Sequence, residues 1–263
     1  MVLFLPGAFL YGLFASRHRF RLAGIRPYAG VLLGCLMFSP VIGWNAANGW
    51  NSARHVAYIG GANEGFSLHL KYLGDLLGSQ AAMLSPMVFI LVLWAWHRVF
   101  WKKYDTEKWI YSYLLYTSFP MFAFFTLLSF HTRIYGNWPA AAFLTGSVLV
   151  AAFFNGRKIW YWSIGVAYLF STLVLVQVVW PVLPIPASMD RTAYELSGWD
   201  ELGVAVARAR KEMPKPENTF IFGLRYQIAS ELAFYMPGNP RTVSINRWVR
   251  PNVYDSWWKD EDL

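Results

Sequence analysis

What most constrains this chain is the alternation of long apolar runs with short breaks that carry arginine and lysine. Apolar stretches cover residues 2–15, 28–44, 81–100, 110–130, 138–154 and 159–180. A hydrocarbon core of about 30 Å takes roughly 20 helical residues to cross. In lipid the backbone must satisfy its own polar groups, and for single runs of this length the helix does so. The pattern predicts a mostly α, polytopic membrane bundle of about six spans over residues 1–186. A small soluble α/β domain over 187–263 is expected to follow it.

Composition agrees. The chain has 263 residues, 56% hydrophobic and 14% charged, against about 25% charged in soluble domains. Apolar residues are too plentiful for disorder. The net charge of +8 is too thinly spread to make a nucleic-acid-binding stripe, so no nucleic-acid partner is expected. Trp44, Trp50, Trp101, Trp109, Trp138, Trp160 and Trp180 fall near the ends of apolar stretches, where interfacial anchors belong. Cys35 stands alone in an apolar run. It permits no internal disulfide and no cysteine metal site.

The breaks differ in charge. Residues 16–27, 97–109 and 155–158 hold ten Lys/Arg, whereas 45–80 and 131–137 hold only Arg54, Lys71 and Arg133. The positive-inside bias puts the first group on the cytoplasmic side of a membrane. Loop 45–80, loop 131–137 and everything after Trp180 then lie outside, which in the family resembled below is the periplasm of a bacterial inner membrane. Residues 1–186 carry thirteen cations against four carboxylates, and 187–263 carry ten against eleven. The basic surplus therefore records orientation. Arg17, Arg19, Arg21 and Arg26 follow the first stretch, the reverse of a signal peptide. That stretch reads as the remnant of a membrane helix.

Residues 66–80 place Leu68, Leu73, Leu76 and Leu77 around Lys71 and Asp75. This suits a helix in the membrane interface, as a structural collar or as a guide for substrate. Beyond 186, Trp199–Met213 reads as an amphipathic helix with Trp199, Leu202, Val206 and Ala209 on its inner face, and with Ser197 and Asp200 as candidate caps. Thr219–Phe222 and Thr242–Ile245 read as strands flanking a helix at Gln227–Tyr235, a βαβ unit.

The three outer cations are candidates for holding a phosphate, since Arg binds it in a two-pronged geometry and Lys as a point charge. Arg133 leads, because it sits in the polar island His131–Trp138 between two apolar stretches. Lys71 or Arg54 would join it, with His131, Asn137 and Gln80 as polar neighbours. Glu64 and Asp75 are the outer carboxylates before the C-terminal domain. Each reads as a general base or, preferentially, as a solvated charge. The histidines lack metal-ligand spacing, and there is neither a phosphate loop nor a nucleophile elbow. The near absence of ionisable residues in the apolar stretches argues against a transporter. Gln177, the main polar exception, reads as an interhelical hydrogen-bonding residue.

Five stretches, in order, carry a resemblance: SPVIGWNAANGW at 39–50, GNWPA at 136–140, GWDEL at 198–202, RYQIASELAFY at 225–235 and YDSW at 254–257. Together they resemble the C-terminal half of bacterial family 39-type glycosyltransferases of the GT-C superfamily. These are similar to dolichyl-phosphate-mannose protein mannosyltransferases. The resemblance implies an inverting transferase that moves a sugar from a polyprenyl-phosphate carrier to a lipid, glycan or protein acceptor at the outer face. It implies cations on the departing carrier phosphate, a carboxylate on the acceptor and, in some members, a divalent cation. Trp44, Asn45, Gln80, Asn137, Trp138 and Pro139 match second-half motifs, with Arg133 just before. Tyr226 and Gln227 are expected only to pack or dock the outer domain. Asn137-Trp-Pro also reads structurally, as helix cap, interfacial anchor and first helical turn. The family's acidic catalytic loop has no counterpart in this chain, so no residue inherits the carboxylate role. The expectation is a fragment, with the N-terminal half as a separate or missing chain and the outer domain truncated. The alternative is a non-catalytic membrane subunit that binds a lipid carrier or a partner chain.

Overall fold

In a computed structural model of the protein, the described residues are 3–15, 17–62, 65, 67–102, 109–180, 182–186, 195–245 and 254–257. The chain is mostly helical and divides into two compact units. One comprises Met1–Ser39 with Glu64–Thr172, the other Pro40–Asn63 with Leu173–Leu263.

The first unit is a helical bundle. Its elements are α1 (Phe4–Phe14), the start of α2 (Ile25–Ala47), α4 (Leu70–Leu84), α5 (Pro86–Lys102), α6 (Trp109–Leu128), α7 (Ala140–Phe154) and most of α8 (Lys158–Val179). Helix α6 is the hub, packing against α1, α5 and α7. The core is aromatic and aliphatic: Phe89, Val92, Trp96, Phe122, Phe143 and Leu149 are buried together. Trp96 lies near-parallel to Phe143 with ring centroids 6.0 Å apart and meets Phe122 at 5.2 Å. Its indole N–H donates to Ser118 Oγ at 2.8 Å. Both residues are buried, so Ser118→Ala leaves the indole N–H without its acceptor. The expected cost is about 1–2 kcal/mol. Thermal unfolding in detergent reads it, and melting unchanged from wild type would show that the bond contributes nothing.

Helices α2, α6 and α8 are long and apolar enough to cross a membrane. Helices α4 and α5 would make a fourth span if taken as one, but they bend by 109°. Helices α1 and α7 are apolar and shorter, with 11 and 15 residues. The expected continuous segment 81–100 is therefore divided. The break is Ser85, buried and left-handed at φ 69°. Pro86 follows, and a residue before proline is pushed out of the helical region. Pro86 suits the first turn of α5, and Ser85 Oγ accepts the Val88 N–H at 3.4 Å.

Two glycines set helix spacing. A Cβ on Gly7 would overlap the Tyr116 carbonyl oxygen of α6, with the Tyr116 carbonyl carbon at 3.2 Å. A Cβ on Gly146 of α7 would press Val92 of α5 at 3.3 Å. After α1, a short 3₁₀ turn over Arg19–Ala23 leads into α2. Arg19 Nε donates to the Leu13 carbonyl at 2.8 Å, satisfying an orphan carbonyl at the end of α1. The Tyr11 hydroxyl bonds His18 Nδ1. Burial, then the charges of Arg21 and Arg17, hold His18 below the usual imidazole range.

The second unit holds the end of α2, α3 (Asn51–Ile59), the end of α8, α9 (Trp199–Lys211), α10 (Tyr226–Tyr235), α11 (Tyr254–Trp257) and strands β1 (Ile221–Gly223) and β2 (Thr242–Ser244). The strands pair in parallel, Ile221 opposite Thr242 and Gly223 opposite Ser244. With α10 between them in sequence, this is the expected βαβ connection. Its core is Ile221, Leu232 and Met236, with Val206, Ala207 and Ile228 packed on it. The inner face of α9 differs from the sequence reading. Gly203, Val206 and Ala207 turn inward, while Leu202 and Ala209 are exposed. The reason is a close approach: a Cβ on Gly203 would sit 2.8 Å from the Tyr235 carbonyl oxygen, so the helix rolls its smallest residue onto α10. The N-cap of α9 is Gly198 at φ 82°, with Ser197 just before it and Asp200 in the first turn. Gln177 is buried near the end of α8. Its amide bonds the Leu183 backbone, accepting from N–H at 2.9 Å, which closes the turn after α8.

Candidate functional site

The expected outer loop 45–80 contains α3 and most of α4. Its entry is built by Asn45, buried at the end of α2. The Asn45 carbonyl accepts from Trp50 N–H at 2.7 Å, and its side-chain oxygen accepts from Ser52 N–H at 3.2 Å. Asn45 thus turns the chain and caps the first turn of α3. Arg54 lies on α3 in the second unit and donates to Asn51 Oδ1 at 3.0 Å. The other five candidates all lie in the first unit.

In the first unit, the segment entering α4 is clasped to the turn after α6. The His69 N–H donates to the Phe130 carbonyl at 2.7 Å. The Ser67 N–H donates to His131 Nδ1 at 3.4 Å, and Ser67 Oγ bonds His69 Nε2 at 2.8 Å. The His69 and Tyr72 rings sit 4.8 Å apart. Further along α4, buried Gln80 donates from Nε2 to the Gly136 carbonyl at 2.8 Å and to Ser79 Oγ at 3.1 Å. Gly136 must be small here, because its Cβ would meet Ser79 Oγ at 2.9 Å and Met83 Sδ at 3.1 Å. Trp138 completes the turn between Phe125 and Tyr135, with centroids at 6.0 and 5.5 Å.

These clasps sort the candidates. His131 and Gln80 hold the two segments together; their ring and amide face protein. Arg133 and Lys71 are exposed and lie close in sequence to the His69–Phe130 bond. The end of the bundle therefore carries two solvent-facing cations on backbones braced by hydrogen bonds. Asn137 is exposed as well. It does not cap α7 through its side chain; its carbonyl takes the Ala140 N–H at 3.3 Å. Asp75 is exposed on α4, and Glu64 lies outside the described residues. Among the described residues no cluster of His, Cys, Asp or Glu would hold a metal ion. Sequence reasoning placed His69 among the outer polar residues but missed Ser67 and the clasp that the two make. The signal was there in the S-x-H spacing before α4, but nothing local pointed to a partner 64 positions away.

No protein-family profile matches the chain, and no solved structure matches it. Over 119 residues the chain is 24% identical to a lipid A galacturonosyltransferase, RgtD of Rhizobium johnstonii. The match covers 45% of this chain and 24% of that protein, so it spans about a quarter of the length of this curated relative. At a coarse level, then, the chain is similar to a glycosyltransferase.

Proposed function

We propose that this chain forms part of a membrane-embedded glycosyltransferase of the GT-C kind. It would use a polyprenyl-phosphate sugar as donor and an envelope lipid or glycan as acceptor, with inversion at the transferred carbon. The observation that carries the reading is the similarity to the lipid A galacturonosyltransferase. Further features support it. Three helices are apolar enough to span a bilayer. Lys71 and Arg133 are exposed on the clasped end of the bundle, where the positive-inside bias puts the periplasm. Helix α4 bends 109° away from α5, as a helix lying along the interface would. In this reading Arg133 and Lys71 hold the carrier phosphate and stabilise its negative charge as the sugar departs. The acceptor-activating carboxylate comes from a segment or chain beyond this one, and residues 187–263 face the periplasm as the outer domain.

The test is transfer of labelled sugar from polyprenyl-phosphate sugar to lipid A in membranes that contain this chain and its neighbours. A charged hydrogen bond to phosphate contributes about 1.5–3 kcal/mol, so Arg133→Ala should lower transfer by roughly 10- to 100-fold at unchanged protein level. Arg133→Gln, which keeps length and polarity but not charge, should do no better. Full transfer by Arg133→Ala would remove Arg133 from the donor site. No transfer by wild-type membranes would overturn the reading itself.

A further inference from the structure

The opposite end of α6 carries a second feature, independent of the proposed transfer chemistry. A cavity of about 1110 Å³ opens between α1, the Arg19–Ala23 turn, the start of α2 and the first turns of α6. Its walls include Tyr11, Trp109 and Tyr113, and its polar members are His18, Arg21 and Arg26. It lies wholly within the first unit. Helix α6 has 20 residues, which places this cavity about 30 Å from the His131–Trp138 turn, roughly the thickness of a hydrocarbon core.

We infer that this cavity binds an anionic phospholipid, with the phosphodiester held by Arg21 and Arg26 and an acyl chain laid against Tyr11, Trp109 and Tyr113. Four observations carry this. The volume exceeds the about 300–1,000 Å³ of ordinary small-molecule sites, so it suits a ligand with a chain. The lining is largely apolar and includes the cations Arg21 and Arg26, the two kinds of surface that a lipid presents. Among the described residues that line it, no carboxylate stands beside the two guanidinium groups. The arginines of the turn also divide by role. Arg19 is committed to the Leu13 carbonyl, whereas Arg21 and Arg26 line the cavity.

The mouth of the cavity is braced. The Tyr28 hydroxyl donates to the Leu22 carbonyl at 2.9 Å, fixing the start of α2 against the turn. The Tyr11 hydroxyl fixes His18 through Nδ1. That contact uses Nδ1 and keeps the His18 ring at the cavity wall. Basic pockets between membrane helices on the cytoplasmic side are the settings in which anionic headgroups are recognised. General attraction of Lys/Arg to an anionic surface is the competing explanation, and a charge-matched variant in another loop separates the two.

The experiment is native mass spectrometry of the purified full chain released from nanodiscs that contain equal phosphatidylglycerol and phosphatidylcholine. Wild type is expected to retain one phosphatidylglycerol in preference to phosphatidylcholine. The double variant Arg21→Ala, Arg26→Ala should lose that retention at least tenfold. The double variant Arg157→Ala, Lys158→Ala removes the same charge from another loop and should retain the lipid as wild type does. Ala8→Phe, which narrows the cavity without touching charge, should also lose it. Excess soluble glycerol phosphate should not displace the lipid. Equal loss in the two charge variants would reduce the effect to surface attraction and overturn the site. Equal retention of phosphatidylcholine, or displacement by glycerol phosphate alone, would overturn it as well.

Discussion

Gly7→Val should unfasten α1 from the bundle. A Cβ at position 7 would overlap the Tyr116 carbonyl oxygen and lie 3.3 Å from the Thr117 Cα. Both obstacles are backbone of α6, so no side-chain rotation relieves the clash. The overlap lies at a special turn, since Pro120 has no N–H to give to the carbonyl four residues before it and its ring crowds that carbonyl. Helix α1 passes there with only a glycine between the two backbones, the small-residue contact by which membrane helices approach closely. Adding a branched side chain must drive the helices apart and surrender the surrounding contacts. Tyr11 with Tyr113 and Phe14 with Tyr116 meet across this interface at 5.3 and 6.1 Å. The expected cost is about 3 kcal/mol or more, at the upper end for overpacking. Thermal unfolding in detergent measures it, with Gly30→Val as control, because a Cβ there meets nothing within 4 Å. Equal melting of the two variants would show that α1 is not seated as described.

Gln80→Glu should be nearly as damaging, although it changes only one group of atoms. Gln80 is 1% exposed, and its amide N–H₂ serves the Gly136 carbonyl and Ser79 Oγ. A carboxylate cannot donate to that carbonyl, and it would carry a charge into a buried position. The expected loss is about 3 kcal/mol at neutral pH. The sign of its pH dependence follows from burial. The carboxyl introduced by Gln80→Glu would have a raised pKa in the folded protein relative to the unfolded chain. Stability of this variant is therefore greatest at acid pH and falls as pH rises from the unfolded value through the raised one. Gln80→Leu, which removes both the donor and the charge, should lose less and show no such dependence. Melting of the three proteins between pH 5 and 8 distinguishes them. If Gln80→Glu melts like wild type at neutral pH, the clasp to Gly136 is not holding the turn.

Much of the architecture was legible because the bilayer pattern is crude and strong. Apolar runs near 20 residues gave α2, α6 and α8, and the Pro-Gly stop after Tyr235 gave the end of α10. The break at Ser85 was harder, since the run on either side is equally apolar and only Ser-Pro marks it. The roll of α9 was hidden because a helical wheel ranks residues by hydrophobicity, whereas close packing onto a backbone carbonyl selects glycine. At the candidate site, types were readable and pairings were not. Arg133 stood out by its charge in a short polar island. That His131 and Gln80 face inward to brace the turn depends on partners 64 and 56 positions away, which local spacing does not reveal.

The bend at Ser85 has a consequence for the surrounding lipid. Helix α5 has 17 residues and α7 has 15, so their lengths are about 26 and 23 Å, short of an average hydrocarbon core of about 30 Å. Set in a bilayer, this side of the bundle imposes a hydrophobic mismatch that the lipids meet by thinning. The lipid surface is then drawn inward beside the braced turn. Under the proposed function, a carrier headgroup in that leaflet would reach Arg133 and Lys71 with less of its own chain pulled out of the membrane.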